Sequence, residues 1–160
     1  MSPTHFQPHS QLFKALASSK RLEIVNLLRS QCLRVEEIRR MTGMAQANVS
    51  QHLQVLRRYA VVVPRRAGKE ITYCLSHPRI IRALDDVQHI LVDRKKIRAP
   101  RIVSRERVPI PHVTDPVCGM TISPQTAGWS AQYRRSTYYF CASGCHASFV
   151  EHPEKYIVTQ

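Results

Sequence analysis

Between Met41 and Arg58 the chain reads MTGMAQANVSQHLQVLRR, and this stretch limits the possible folds more than any other. Val35, Ile38 and Met41 recur at helical spacing before Gly43, and Val49, Leu53 and Leu56 follow at i, i+4 and i+7 after it. Two apolar stripes so close in sequence meet only if the helices turn a tight corner, and the glycine supplies it. The pattern predicts a helix-turn-helix whose second helix runs about four turns and is polar on its outer face.

The flanks extend this unit. QLFKALASSKRLEIVNLLRS reads as two helices broken near Ser18 and Ser19, both competent N-caps, with Leu12, Leu16, Leu22, Val25, Leu27 and Leu28 facing inward. VVVPRRAGKEITYCL places β-branched runs on either side of RRAGKE, a hairpin with Gly68 at its tip. HPRIIRALDDVQHILVDRKK then reads as a helix begun by Pro78. Ile80, Leu84, Val87 and Leu91 form its stripe, widened by Ile81 and Ile90. A helix this apolar packs against something, and a second copy of itself is the economical choice, so a homodimer is expected.

Charge separates this unit from the rest. Residues 1–113 hold 21 Lys/Arg against 8 Asp/Glu, whereas residues 114–160 hold 3 against 3, so the whole excess of +13 lies in the first part. That is the footprint expected where only one part meets a polyanion. On the second helix Gln46, Asn48, Ser50 and Gln51 sit where base edges in a major groove would be met, and Gln and Asn suit adenine. Arg57 and Arg58 at its far end suit phosphates, and Arg65, Arg66 and Lys69 flank the hairpin tip. The expected partner is duplex operator DNA.

Residues 94–113, RKKIRAPRIVSRERVPIPHV, carry seven Lys/Arg and three prolines without clean periodicity, and read as a linker. The expected organisation is a DNA-binding and dimerisation domain over 1–93, this linker, and a cysteine domain over 114–160. Three of the five cysteines stand in that tail as Cys118-x22-Cys141-x3-Cys145. A Cys-x3-Cys pair at a helix start puts two sulfurs on one side of a metal, and the distant third closes the site. Thiolates select soft or borderline ions, Cu(I) or Zn(II). For a fourth ligand, Met120 offers a thioether suited to Cu(I) and His146 a nitrogen suited to Zn(II), while three thiolates alone could hold Cu(I) in trigonal geometry. A metal would also help hold together a unit of about 47 residues, near the size at which a core alone struggles.

No apolar run approaches the roughly 18–20 residues of a membrane span, and MSPTHFQPHSQ lacks the pattern of a secretory signal. A cytoplasmic protein is expected, where cysteines serve thiol or metal chemistry more than disulfides. Cys74 reads as a small buried residue. There is no Gly-rich phosphate loop, no paired carboxylates near a histidine and no HExxH, and His146 diverges from its neighbour Cys145 on a helix. Neither an enzyme nor a small-molecule substrate is expected.

LFKALASSKRLEIVNLLRS, MTGMAQANVSQHLQVLRR and VVVPRRAGKEITYCL together resemble the winged helix-turn-helix of ArsR-type metalloregulators over residues 11–92. The resemblance implies a homodimer, built by the first and last helices of this half, that binds an operator and represses until an inducer loosens it. Where many members carry Cys-x-Cys this chain has Arg34, Val35 and Glu36. A second family site holds metal between Asp and His pairs on the last helix. Asp85, His89 and Asp93 could share one face there, but the paired-histidine spacing is missing and solvated charges explain them as well.

DPVCGM, YYFCASGC and the ending Phe149-x3-Pro153-x2-Tyr156 resemble the YHS domain and the related TRASH module. That resemblance implies a small α+β unit whose three cysteines bind heavy metal. It also implies a strand pair around Tyr133 and Tyr138–Phe140 and a helix over 144–151, with Trp129, Tyr138, Tyr139, Phe140 and Phe149 as core. The expected fold class is mainly α with a β-hairpin wing, plus a small α+β metal-binding domain. The expected function is a metal-responsive transcriptional regulator acting as a repressor. The alternative is a repressor with a structural Zn tail that senses oxidant or persulfide through a reactive thiol.

Overall fold

The computed structural model describes residues 6–96, 112–124 and 127–157, with side chains as far as Leu91 in the first block. The linker stretch 97–111 lies outside the described residues. Helices α1 (Gln7–Leu16) and α2 (Ser19–Leu27) separate at Ser18, whose extended backbone starts α2. Arg21 ties the corner: its Nε donates to the Ala15 carbonyl and its Nη2 to that of Lys14 at 2.9 Å, satisfying the open end of α1. Strand β1 (Leu33–Arg34) leads into α3 (Val35–Thr42), where the Arg34 backbone N–H donates to Glu37 at 2.7 Å. Gly43 ends α3 in the left-handed region at φ 69°, and α4 (Gln46–Arg58) follows after two residues.

The wing is the antiparallel hairpin β2 (Val62–Ala67) and β3 (Glu70–Leu75), with Gly68 at φ 61° in the turn. The two-residue strand β1 pairs with β3 at Leu33–Tyr73 and Arg34–Thr72, making a three-stranded sheet in the order β1-β3-β2. This third strand is not evident from periodicity, because two residues carry none. Helix α5 runs over Arg79–Lys96, three residues beyond the expected boundary at 93.

The tail is α+β as expected. Strands β4 (Val113–Thr114) and β5 (Thr121–Ile122) form one pair. Strands β6 (Trp129–Tyr133) and β7 (Ser136–Phe140) form another, and α6 (Ser143–Glu151) packs on them. Phe140 and Phe149 are fully buried with ring centroids 5.0 Å apart, and Tyr138 lies 5.0 Å from Phe149. Trp129, expected in this core, is instead 42% exposed at the sheet margin.

The two halves share one continuous core. Ile24, Ile38, Val49, Leu53 and Leu56 fill the DNA-binding half with essentially no exposure, and the buried residues of the tail join the same cluster. Leu22, expected inside, is 37% exposed, and Ala15 and Ile24 take the inward places. Among the described residues no helix is long and apolar enough to cross a membrane.

Candidate metal centre and DNA-reading face

Asp115 organises the cysteine site. Its side chain is buried, and Oδ1 accepts the backbone N–H of Val117 at 2.9 Å and of Cys118 at 3.4 Å. Oδ2 accepts the N–H of Cys141 at 2.8 Å, tying the β4–β5 loop to the end of β7. The loop closes with Asp115 N–H to the Met120 carbonyl and Gly119 N–H to the Asp115 carbonyl, both at 2.8 Å. Gly119 has φ 78°, a conformation that suits glycine. Asp-Pro before a cysteine is a turn signal that sequence reasoning passed over in DPVCGM.

This frame brings the three tail cysteines together. Cys118 Sγ and Cys141 Sγ are 3.4 Å apart, and Cys141 Sγ and Cys145 Sγ 3.7 Å. One donor atom each from Asp115, Cys118, Cys141 and Cys145 lie within 4.8 Å of one another. Thiolates about 2.3 Å from a tetrahedral metal stand about 3.8 Å apart, so the spacing fits a soft ion. Hydrogen bonds from Cys141 and Cys145 hold the Cys118 thiol down to about 3, while bonding to Cys118 raises the other two. Cys118 is therefore the most acidic thiol of the cluster. Burial raises Asp115, opposed by the N–H groups it accepts.

The two candidates for a fourth ligand lie differently. His146 sits between rings, 5.3 Å from Trp129 and 5.4 Å from Phe140, and is not among the four clustered donors. Met120 is buried and lines a small cavity with Asn26 and Arg29 of the DNA-binding half. Among the His, Cys, Asp and Glu side chains of the described residues, Asp115 is the fourth member of the cluster.

On the DNA-binding half, Gln46, Asn48, Gln51 and Arg57 are exposed along α4, with Ser50 half-buried. Arg65, Arg66 and Lys69 are exposed on the wing. His52, on the inner side of α4, is held below its usual range by burial and by nearby Arg21 and Lys20. On α5, both carboxylate oxygens of Asp85 are taken by Arg29, at 2.8 and 2.7 Å, so Asp85 is committed to an ion pair with the end of α2. Asp93's side chain lies outside the described residues.

Cys74 is buried as expected, but it is not a free thiol: it is joined to Cys32 in a disulfide. Leu33 pairs with Tyr73, so Cys32 falls opposite Cys74 across the β1–β3 ladder. Only the register of β1 brings the two together, and nothing local in the sequence announces it.

A helical core, a hairpin wing and an exposed polar second helix define a winged helix-turn-helix DNA-binding protein. Residues 18–60 match the bacterial regulatory protein, arsR family, and residues 113–160 match the YHS domain. The chain is 35% identical over 83 residues to the HTH-type transcriptional regulator Rv0081 of Mycobacterium tuberculosis, covering 51% of this chain and 73% of that protein. It belongs to the arsR family of transcriptional regulators and carries a C-terminal YHS domain.

The crystal structure of Rv0081 superposes with TM-score 0.54 at 31% identity, over 61% of this chain and 98% of that one. The homodimeric winged helix-turn-helix domain of Mb0332 from Mycobacterium bovis also gives TM-score 0.54, at 28% identity over 60% of this chain and 89% of that one. The regulator NmtR of M. tuberculosis is 40% identical over 73 residues, 46% of this chain and 61% of NmtR, so under two thirds of that relative is spanned. A copper-transporting P-type ATPase of Rhizobium leguminosarum bv. viciae is 38% identical over 48 residues, 30% of this chain and 6% of the ATPase.

Proposed function

We propose that this protein is a metal-responsive repressor that binds operator DNA as a homodimer. In this reading it senses a soft metal ion, Cu(I) ahead of Zn(II), through Cys118, Cys141 and Cys145. The observation that carries this reading is the convergence of three cysteine sulfurs and Asp115 within 4.8 Å, in a domain packed on the helix-turn-helix. Both Asp115 oxygens already accept backbone N–H groups, which favours a site of three thiolates and therefore Cu(I). Likeness to a copper-transporting ATPase over a stretch as long as the YHS match supports the same choice.

Gln46, Asn48, Ser50 and Gln51 would meet bases, and Arg57, Arg65, Arg66 and Lys69 phosphates. Exposed Phe13 on α1 and Val87, Ile90 and Leu91 on α5 supply an apolar face for a second copy, and the similar Mb0332 domain is itself named as homodimeric. Metal capture lowers the population of the DNA-competent geometry, a coupling on the order of 1–3 kcal/mol or 5–150-fold in affinity.

The test is an anaerobic titration of Cu(I), then Zn(II), into the reduced protein on labelled DNA from upstream of its own gene. Anisotropy is followed at fixed salt. A stoichiometric loss of binding that disappears in Cys141→Ser is the expected result. Tight metal binding with unchanged anisotropy refutes the sensory role.

A second reading rests on the Cys32–Cys74 disulfide at the base of the wing. A low-molecular-weight disulfide would oxidise the two thiols to this bond and leave as two thiols, so the wing would answer to redox state while the tail's metal stays structural. DNA affinity that follows oxidation of Cys32 and Cys74 and ignores metal selects this reading.

A further inference from the structure

Three residues enclosed by the Cys141–Cys145 motif, Ala142, Ser143 and Gly144, make a polar and backbone contact between the tail and the helix-turn-helix. The first turn of α6 lies against the last turn of α3 and the corner at Gly43. Ser143 Oγ donates to the Thr42 carbonyl at 2.9 Å and accepts from Lys20 Nζ at 3.0 Å. The Ser143 N–H donates to the Glu23 carboxylate of α2, which Lys20 also pairs at 3.0 Å. Glu23 therefore answers one of the open N–H groups of α6 with a negative charge.

Gly144 sets how close the approach is. A Cβ there would stand 2.5 Å from the Met41 carbonyl oxygen, 2.7 Å from the Gly43 nitrogen and 2.9 Å from the Arg40 carbonyl oxygen. All three are backbone atoms, so no flexible side chain could move aside. The corner they belong to ends two residues before α4 begins at Gln46.

Sulfur donors stand at both ends of this docked turn, Cys141 just before it and Cys145 just after. The backbone between them cannot shift without moving one sulfur or breaking the seat on α3. We propose that the docked turn Ala142–Gly144 is the relay between the cysteine site and the DNA-reading helices, with Gly144 permitting the seat and Ser143, Glu23 and Lys20 holding it. The relay rests on the metal-sensing reading above. It supplies what that reading needs, a discrete contact whose two states both sites bias.

The experiment uses the full-length reduced protein as wild type, Gly144→Ala and Ser143→Ala. DNA affinity is measured with and without one equivalent of Cu(I) at fixed salt, and hydrogen exchange is followed over residues 39–46. In wild type, Cu(I) should change DNA affinity on the order of 5–150-fold and alter exchange at the corner. Gly144→Ala should still bind DNA and one equivalent of Cu(I), with the metal effect reduced below about 2-fold and corner exchange indifferent to metal. Ser143→Ala should fall between.

A Gly144→Ala protein that keeps the full metal effect overturns the relay and leaves the sensory reading standing. Exchange that answers to metal through Gly144 while wild-type DNA affinity does not keeps the relay and overturns the sensory reading. Failure of both responses in wild type overturns both. If Gly144→Ala does not fold, Ser143→Ala and Glu23→Gln decide, and undiminished coupling in both overturns the relay.

Discussion

Asp115 accepts the backbone N–H of Cys141 at 2.8 Å, so a carboxylate on one loop fixes the backbone of a cysteine 26 residues away. The same side chain accepts from Val117 and Cys118, and it is fully buried. It holds the cysteine cluster in shape through the backbone. Asp115→Ala leaves these N–H groups without an acceptor and should destabilise the tail by about 2–4 kcal/mol even in chelator. Asp115→Asn keeps one acceptor oxygen and should cost less. Equal, negligible losses in chelator for both variants would show that Asp115 matters only as a ligand.

The Cys32–Cys74 disulfide closes a loop across 42 positions and should stabilise the oxidised DNA-binding half by about 2–4 kcal/mol. Thermal unfolding should therefore differ between oxidised and reduced wild type and be insensitive to reductant in Cys32→Ser. A wild-type midpoint that ignores reductant would refute this.

Wing and recognition helix should fail differently when truncated. Arg65→Ala or Arg66→Ala should weaken all duplexes alike and reduce the slope of log affinity against log salt by about 1 for each phosphate left without its arginine. Gln46→Ala or Asn48→Ala should instead relax discrimination at one base pair by about 1–3 kcal/mol. Binding series on operator and scrambled duplexes separate the two, and a wing variant that alters only sequence preference would contradict the assignment.

His52 provides a pH dependence whose sign follows from burial. Its folded value is lowered, so the unfolded chain takes up the proton first as pH falls. The stability it contributes is present above its unfolded value near 6.5 and is lost as pH drops through its folded value. The lowered carboxylates of Glu36 and Glu37 act only below about 4.5, outside this window. The part of the denaturant midpoint that His52 supplies should therefore fall between about pH 7 and pH 5, read as the difference between wild type and a His52 variant. His52→Gln should lose less, and identical pH profiles would rule the effect out.

Much of this protein was legible in its sequence, because the signals are local. Helical spacing of Ile38, Val49, Leu53 and Leu56 follows from the 3.6-residue turn and survives any tertiary arrangement. Glycine at 43 and 68 marks corners because positive φ is costly for other residues. The three tail cysteines could be grouped as candidate donors for the same reason, residue type and spacing, and the structure brings their sulfurs together.

What only the tertiary structure decided are relations between segments far apart in the chain. The β1–β3 register joins Cys32 to Cys74, and a buried carboxylate at position 115 holds the backbone of Cys141. His146 is turned to rings instead of sulfurs, and Gly144 lies against the backbone of α3. None of these has a periodicity or a neighbour rule, since each arises when two independently specified surfaces meet and exclude the space between them. The sequence names the parts of a DNA reader and a cysteine cluster; close packing at Gly144 decides how nearly α6 approaches the backbone of α3.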